Sequence, residues 1–224
     1  MTHLKLLFTV LSLSAFITTA DAQFVQHRDY RPVPTLDYAE LKGTPYLYED
    51  WQQGSVKLAN GVSSKDKMLV RYNLVNDMLS FKDNASGEEM AFVVPVEEFT
   101  INDNSGDRPV VRLFRSYQGI AGSTPSGFFE VLSDGKVQLI KKQSKLITES
   151  IHIGASGMTR SFNDKTKYYL VNNGNAVSVK NDKKSILAVL GDKQAQLEGY
   201  INANNINFKN DRQLGKLVDY YNTL

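Results

Sequence analysis

Cysteine is absent from all 224 residues. Disulfides, thiolate metal sites, cysteine nucleophiles and cysteine-borne lipid anchors are therefore excluded, and stability has to come from packing. Histidine is scarce: of three, His3 opens the chain, His27 lies in a stretch without apolar periodicity, and His152 alone falls near strand-like sequence. A histidine triad or zinc centre would have to rest on His152. An excess of one charge is also lacking, since 26 basic and 24 acidic side chains leave a formal +2. That balance calls for neither a nucleic acid nor an anionic membrane as partner. The lysines at 136, 141, 142 and 145, and those at 180, 183 and 184, have no interleaved aromatics and read as a solvated face. Beyond the first twenty or so residues no apolar run is long enough to cross a bilayer as a helix.

The N-terminal sequence is weakly basic, then apolar over LLFTVLSLSAFITTADA, and closes on Ala20-Asp21-Ala22. This is the layout of a secretory signal peptide cleaved after Ala22, so residues 1–22 are expected to be removed and the protein to be periplasmic or secreted, without a transmembrane span. Residues 23–45 contain Arg31-Pro32-Val33-Pro34 and read as an extended arm.

From 46 to 180, short runs rich in Val, Ile, Tyr and Phe alternate with turn-forming pairs, which predicts strands folded back on their neighbours. The strands are expected at Met68–Asn73, Met78–Lys82, Met90–Val94, Val110–Tyr117, Phe128–Leu132, Lys136–Ile140, Tyr168–Val171 and Ala176–Val179. Asn60-Gly61, Asp134-Gly135 and Asn173-Gly174 are hairpin signals. After Asn181 the period changes. Ile186, Leu187, Leu190, Leu197, Tyr200, Ile201, Leu214, Leu217, Val218 and Tyr221 follow helical spacing, with Gly191 as a left-handed stop, Asp192 as the cap of a second helix, and Asn210 or Asp211 as the cap of a third. The fold class is thus α+β, mainly β: an antiparallel meander, either a sandwich or a partly open barrel. A small helical subdomain at 181–224 should pack on it or on a partner.

The candidate chemistries are few. Ser64-x-x-Lys67 has the spacing of a serine activated by a lysine, but it falls between strands, where no helical turn brings the two together. Glu88-Glu89 and Glu97-Glu98 offer carboxylates, with Glu98 the candidate for a glycosidase pair, although adjacent strand residues point to opposite faces. Asp103 and Asp107 sit in an NDNSGD loop that departs from the calcium-loop spacing, so neither a metal nor a cofactor is expected. Tyr46, Tyr48 and Trp51 form an aromatic cluster suited to a glycan, and Leu214, Leu217 and Tyr221 a helical stripe suited to a protein partner. The glycine- and serine-rich segment 119–127 could cover a site.

Trp51-x-x-Gly54-x-Val56-x-Leu58, Arg71-Tyr72-Asn73-Leu74, Val96-x-x-Phe99 and the closing Leu217-Val218-Asp219-Tyr220-Tyr221-Asn222 resemble a loose group of exported bacterial β-rich proteins of unknown function. The resemblance implies a scaffold and transfers no active site. Three functions follow as expectations: a non-catalytic binding or envelope-associated protein, a hydrolase acting on glycans or esters, or a β-barrel holding a small ligand.

Overall fold

A computed structural model describes residues 30–33, 38, 41–64, 68–106, 108–120, 127–151 and 158–224, the side chains of Ile151 and Met158 excepted. It is mainly β, as the alternation predicts, with two open sheets. The first has the order β1-β7-β6-β5-β3, from β1 (Tyr30–Pro32), β7 (Glu89–Phe92), β6 (Met78–Lys82), β5 (Met68–Asn73) and β3 (Gln52–Gly54). The second runs β13-β12-β11-β10-β9-β8-β4, from β13 (Asn175–Val179), β12 (Met158–Asn172), β11 (Val137–Ile151), β10 (Gly127–Ser133), β9 (Val110–Tyr117), β8 (Val96–Asp103) and β4 (Val56–Leu58). A two-residue strand, β2 (Leu41–Lys42), adds to β12 in parallel, and all other pairings are antiparallel.

The chain passes from one sheet to the other at Ser55, between β3 and β4, where Ser55 O accepts from Thr100 N at 2.9 Å. Gly54 is required here by space, because a Cβ on it would lie 2.1 Å from the Thr100 carbonyl oxygen. Parts of the presumed arm belong to the fold. β1 is an edge strand, where Pro32 can stand without a ladder hydrogen bond, and β2 docks beside Arg160 and Ser161.

In-register neighbours on antiparallel strands share a face, so one row can be followed across the second sheet: Val56, Phe99, Phe114, Glu130, Lys141, Tyr168, Val179. The first sheet covers the start of this row. Val70, Tyr72, Leu79, Phe81 and Met90 pack there on Val56, Leu58, Phe99, Ile101 and Phe114. Helices cover its end: α1 (Lys183–Val189), α2 (Gln194–Asn204) and α3 (Asp211–Asn222) press Ile186, Leu190, Leu197, Leu214, Leu217 and Val218 onto Val137, Leu139, Leu170 and Val179. A smaller cluster of Phe129, Ile140, Tyr169, Val171 and Ile120 lies apart from these two.

Several local details differ from expectation. Asp182 caps α1, accepting from Ser185 N at 2.8 Å, and Asn210 caps α3 as expected. Gly191 is not left-handed but opens a 3-10 turn, Gly191–Lys193; Asn205, with φ 48°, is the left-handed stop of α2. Asp192 caps no helix and instead accepts from the Tyr221 hydroxyl at 3.0 Å. Asn173 and Gly174, with φ of 49° and 78°, form the expected type I′ pair, whereas at Asn60-Gly61 only the glycine is left-handed.

The largest departure is the β11–β12 hairpin. Each strand is 15 residues long and the two pair from Val137↔Asn172 to Ile151↔Met158, well past the five- and four-residue strands expected. Lys141, Lys142 and Lys145 lie within it, buried or half-buried, and are not a solvated face.

Candidate functional site

Glu130, Lys141 and their neighbours interrupt an otherwise apolar row where its two covers meet. Arg112 grips Glu130 with two parallel bonds, Nε to Oε1 at 2.8 Å and Nη2 to Oε2 at 2.7 Å. Its other donors reach the Tyr48 hydroxyl and Gln143 Oε1, both at 2.7 Å. Lys141 Nζ lies 2.6 Å from Glu130 Oε2 and 2.6 Å from Asp211 Oδ2, and Tyr168 donates to the other oxygen of Asp211 at 2.8 Å.

Burial works to lower the Arg112 pKa, but the hydrogen-bonded Glu130 carboxylate outweighs it and holds the guanidinium firmly charged. Burial, reinforced by Asp103, pushes the Tyr48 hydroxyl up to about 12. Burial and then Asp211 raise Tyr168. Every charged group in this line is satisfied by a fixed partner. Such an arrangement locates helix α3 on the sheet.

A second buried constellation lies at the β5–β6 turn. Asp77, held at φ 58°, accepts from the Tyr72 hydroxyl through Oδ1 and from Lys142 Nζ through Oδ2 at 2.6 Å; Lys142 also donates to Phe128 O at 3.0 Å. Desolvation lowers the Lys142 pKa against the opposing pull of Asp77, and raises that of Tyr72 well above the usual tyrosine range.

Asp77 also lines a cleft of about 670 Å³ where the start of β6 and the end of β7 face the start of β8, the end of β9 and the start of β10. Its apolar wall is Met78, Leu79, Phe92, Val94, Val96 and Phe128; Asn76, Glu97, Ser116 and Gln118 supply polar groups. Below it lies the aromatic core, with Phe99 stacked on Phe114 at 4.7 Å between centroids and Phe128 edge-on to Phe99 at 5.0 Å.

No family model matches the chain, and no curated protein or solved structure matches it. The site has to be judged on its geometry.

The aromatic cluster expected to form one platform is divided. Tyr46 and Trp51 sandwich the Arg71 guanidinium at 4.4 and 4.6 Å, while Tyr48 belongs to the Arg112 line, 5.7 Å from that guanidinium. Leu214 and Leu217 are completely buried against this chain's own sheet, and Tyr221 is half-buried on Asp192. Ser64 bonds the backbone of Val56, whose N donates to Ser64 Oγ at 2.8 Å; Lys67 lies outside the described residues.

Glu98 is held by Arg115 at 2.9 Å on the second sheet, and Glu89 by the Ser80 hydroxyl at 2.6 Å on the first. Glu97 pairs with Lys57 at 2.9 Å on the surface. Asp103 accepts from Ser105 N and Oγ at 2.9 and 2.6 Å. Burial alone would raise its pKa, but those bonds and Tyr48 bring it below the ordinary value. His152, Asp107 and most of the glycine-rich segment lie outside the described residues; among the described residues no acidic or histidine cluster is arranged to hold a metal.

The residues that sequence reasoning missed are those of the cleft. Asn76 and Asp77 fall between two expected strands, and Phe128 opens another. No spacing signals that five separate stretches of sequence converge there.

Proposed function

We propose that this is an exported, non-catalytic protein that binds a small ligand in the cleft between the ends of its two sheets. The observation that carries this reading is the cleft itself. Its volume, about 670 Å³, falls within the range of small-molecule sites, roughly 300–1,000 Å³, and its apolar wall with a few convergent polar groups is what such sites use. A hydrolase would need a nucleophile or an acid free to react. Ser64 is bonded to backbone, while Glu98, Glu89 and Glu130 are each bonded to a cation or a hydroxyl. Export rests on the signal-like sequence of residues 1–22.

The test is native mass spectrometry on protein released gently from the periplasm of the expressing cells. A bound small molecule is expected on the wild-type chain and none on Val94→Trp, which fills the cleft from its apolar wall. Bare protein in both cases, or an adduct indifferent to Val94→Trp, would count against the reading.

A further inference from the structure

Resting on that reading, we infer that the cleft selects an uncharged amphipathic molecule, one with an apolar body and hydroxyl or amide groups along one edge, and turns anions away. The apolar body follows from Met78, Leu79, Phe92, Val94, Val96 and Phe128, which bring two aromatic rings and four flexible or branched side chains to one wall. The charge selection follows from what accompanies them. No lysine, arginine or histidine lines the cleft among the described residues, so a carboxylate or phosphate finds no cation to replace its water.

An entering anion meets Asp77 and Glu97, whose cations, Lys142 and Lys57, bond them but are not part of the lining. A cationic ligand has to displace those partners, at 2.6 and 2.9 Å, to reach a carboxylate. What stays available is neutral. The Asn76 and Gln118 amides and the Ser116 hydroxyl line the cleft, and among the described residues none of these side chains is bonded within the protein. Each donates and accepts, which matches hydroxyl and amide edges and not a fixed charge.

Two probes with one aromatic skeleton separate this inference from the reading beneath it: uncharged N-phenyl-1-naphthylamine and its anionic 8-sulfonate, titrated by fluorescence against the full folded chain. The uncharged probe is expected to bind saturably, and the sulfonate to bind at least about tenfold more weakly, the effect of a carboxylate a few ångströms away across partly screened solvent. Val94→Trp should remove binding of the uncharged probe. Gln118→Lys, at an exposed position that does not disturb the core, should strengthen the sulfonate at least about threefold relative to the uncharged probe. If both probes bind wild type equally and Val94→Trp abolishes both, the cleft binds ligands but the charge selection is wrong. If the uncharged probe is indifferent to Val94→Trp, the cleft reading itself falls. If Gln118→Lys leaves the sulfonate unchanged, charge at this rim does not select.

Discussion

Replacing Glu130 by glutamine removes the anion from the centre of the buried row, leaving Arg112 with neutral partners alone and Lys141 with Asp211. All three side chains are nearly out of water, at 13% exposure for Arg112, 8% for Glu130 and 7% for Lys141, so solvent does little to screen the two cations. Removing one partner of a buried ionic cluster costs about 3–5 kcal/mol, because the remaining charges keep their desolvation penalty without its compensation. A domain of this size has about 5–15 kcal/mol of stability and loses about 2–4 °C in Tm per kcal/mol, which places the fall at about 6–20 °C.

Asp211→Asn is the internal control. Its side chain is 32% exposed and solvent can take over from Lys141, so the change should stay near 1 kcal/mol. Urea denaturation at pH 7, followed by Trp51 fluorescence and by far-ultraviolet circular dichroism, gives both numbers. Adding Lys141→Met to Glu130→Gln should recover part of the loss, because it removes a buried cation left with the partly exposed Asp211 as its one carboxylate. If Glu130→Gln lowers stability by less than about 1 kcal/mol at unchanged m, the row is not the isolated ionic cluster argued for it.

Three further outcomes follow from the packing. Gly215→Ala should cost about 1–3 kcal/mol, because its Cβ would lie 2.5 Å from the Leu132 carbonyl oxygen and lift α3 off β10, whereas Gly199→Ala, with open space around it, should stabilise α2 by about 0.5–1 kcal/mol; thermal unfolding separates the two. Deleting residues 183–224 removes eight buried apolar side chains, from Ile186 to Val218. At about 1.5–3 kcal/mol each this matches the whole stability of a domain, so the truncated chain should show no cooperative unfolding transition. Stability should also fall as pH rises above 10. Tyr72 titrates well above 10 when folded and near 10 when unfolded. Its contribution is therefore complete below pH 10, then declines by up to about 1.4 kcal/mol per pH unit as the unfolded chain ionises first. Urea midpoints measured from pH 9 to 11.5 should drop, and a flat profile would contradict the burial of Tyr72.

Where apolar and β-branched runs are continuous, the chain declared its structure. Val110–Tyr117 is a strand over the residues expected, and Asn173-Gly174 turns as the pair implies. The long hairpin stayed hidden because its outer half, KKQSKLITES against TRSFNDKTK, is polar, and periodicity sees only the face that touches a core. The lysines in it misled for the same reason. Lys141 and Lys142 are adjacent on a strand and so point opposite ways, one to Glu130 and Asp211, the other to Asp77. Their partners lie 11 to 70 residues away in sequence, where no local pattern can reach. The cleft was illegible on the same ground, since its residues come together only once β6, β8 and β10 are placed.

The two kinds of polar residue that the fold separates have opposite consequences. In the row across β9 to β12, each charge is bonded to an opposite charge on a neighbouring strand or on α3, so none can change partner without leaving another charge bare. That rigidity fixes how α3 sits on the sheet. At the cleft the carboxylates are likewise engaged, but the amides of Asn76 and Gln118 and the hydroxyl of Ser116 stand beside an apolar wall without a partner among the described residues. Groups that a ligand can bond without breaking an ion pair are the ones that bind at least cost. Open hydrogen-bonding groups therefore stand beside a concave apolar wall, where a ligand can use both together.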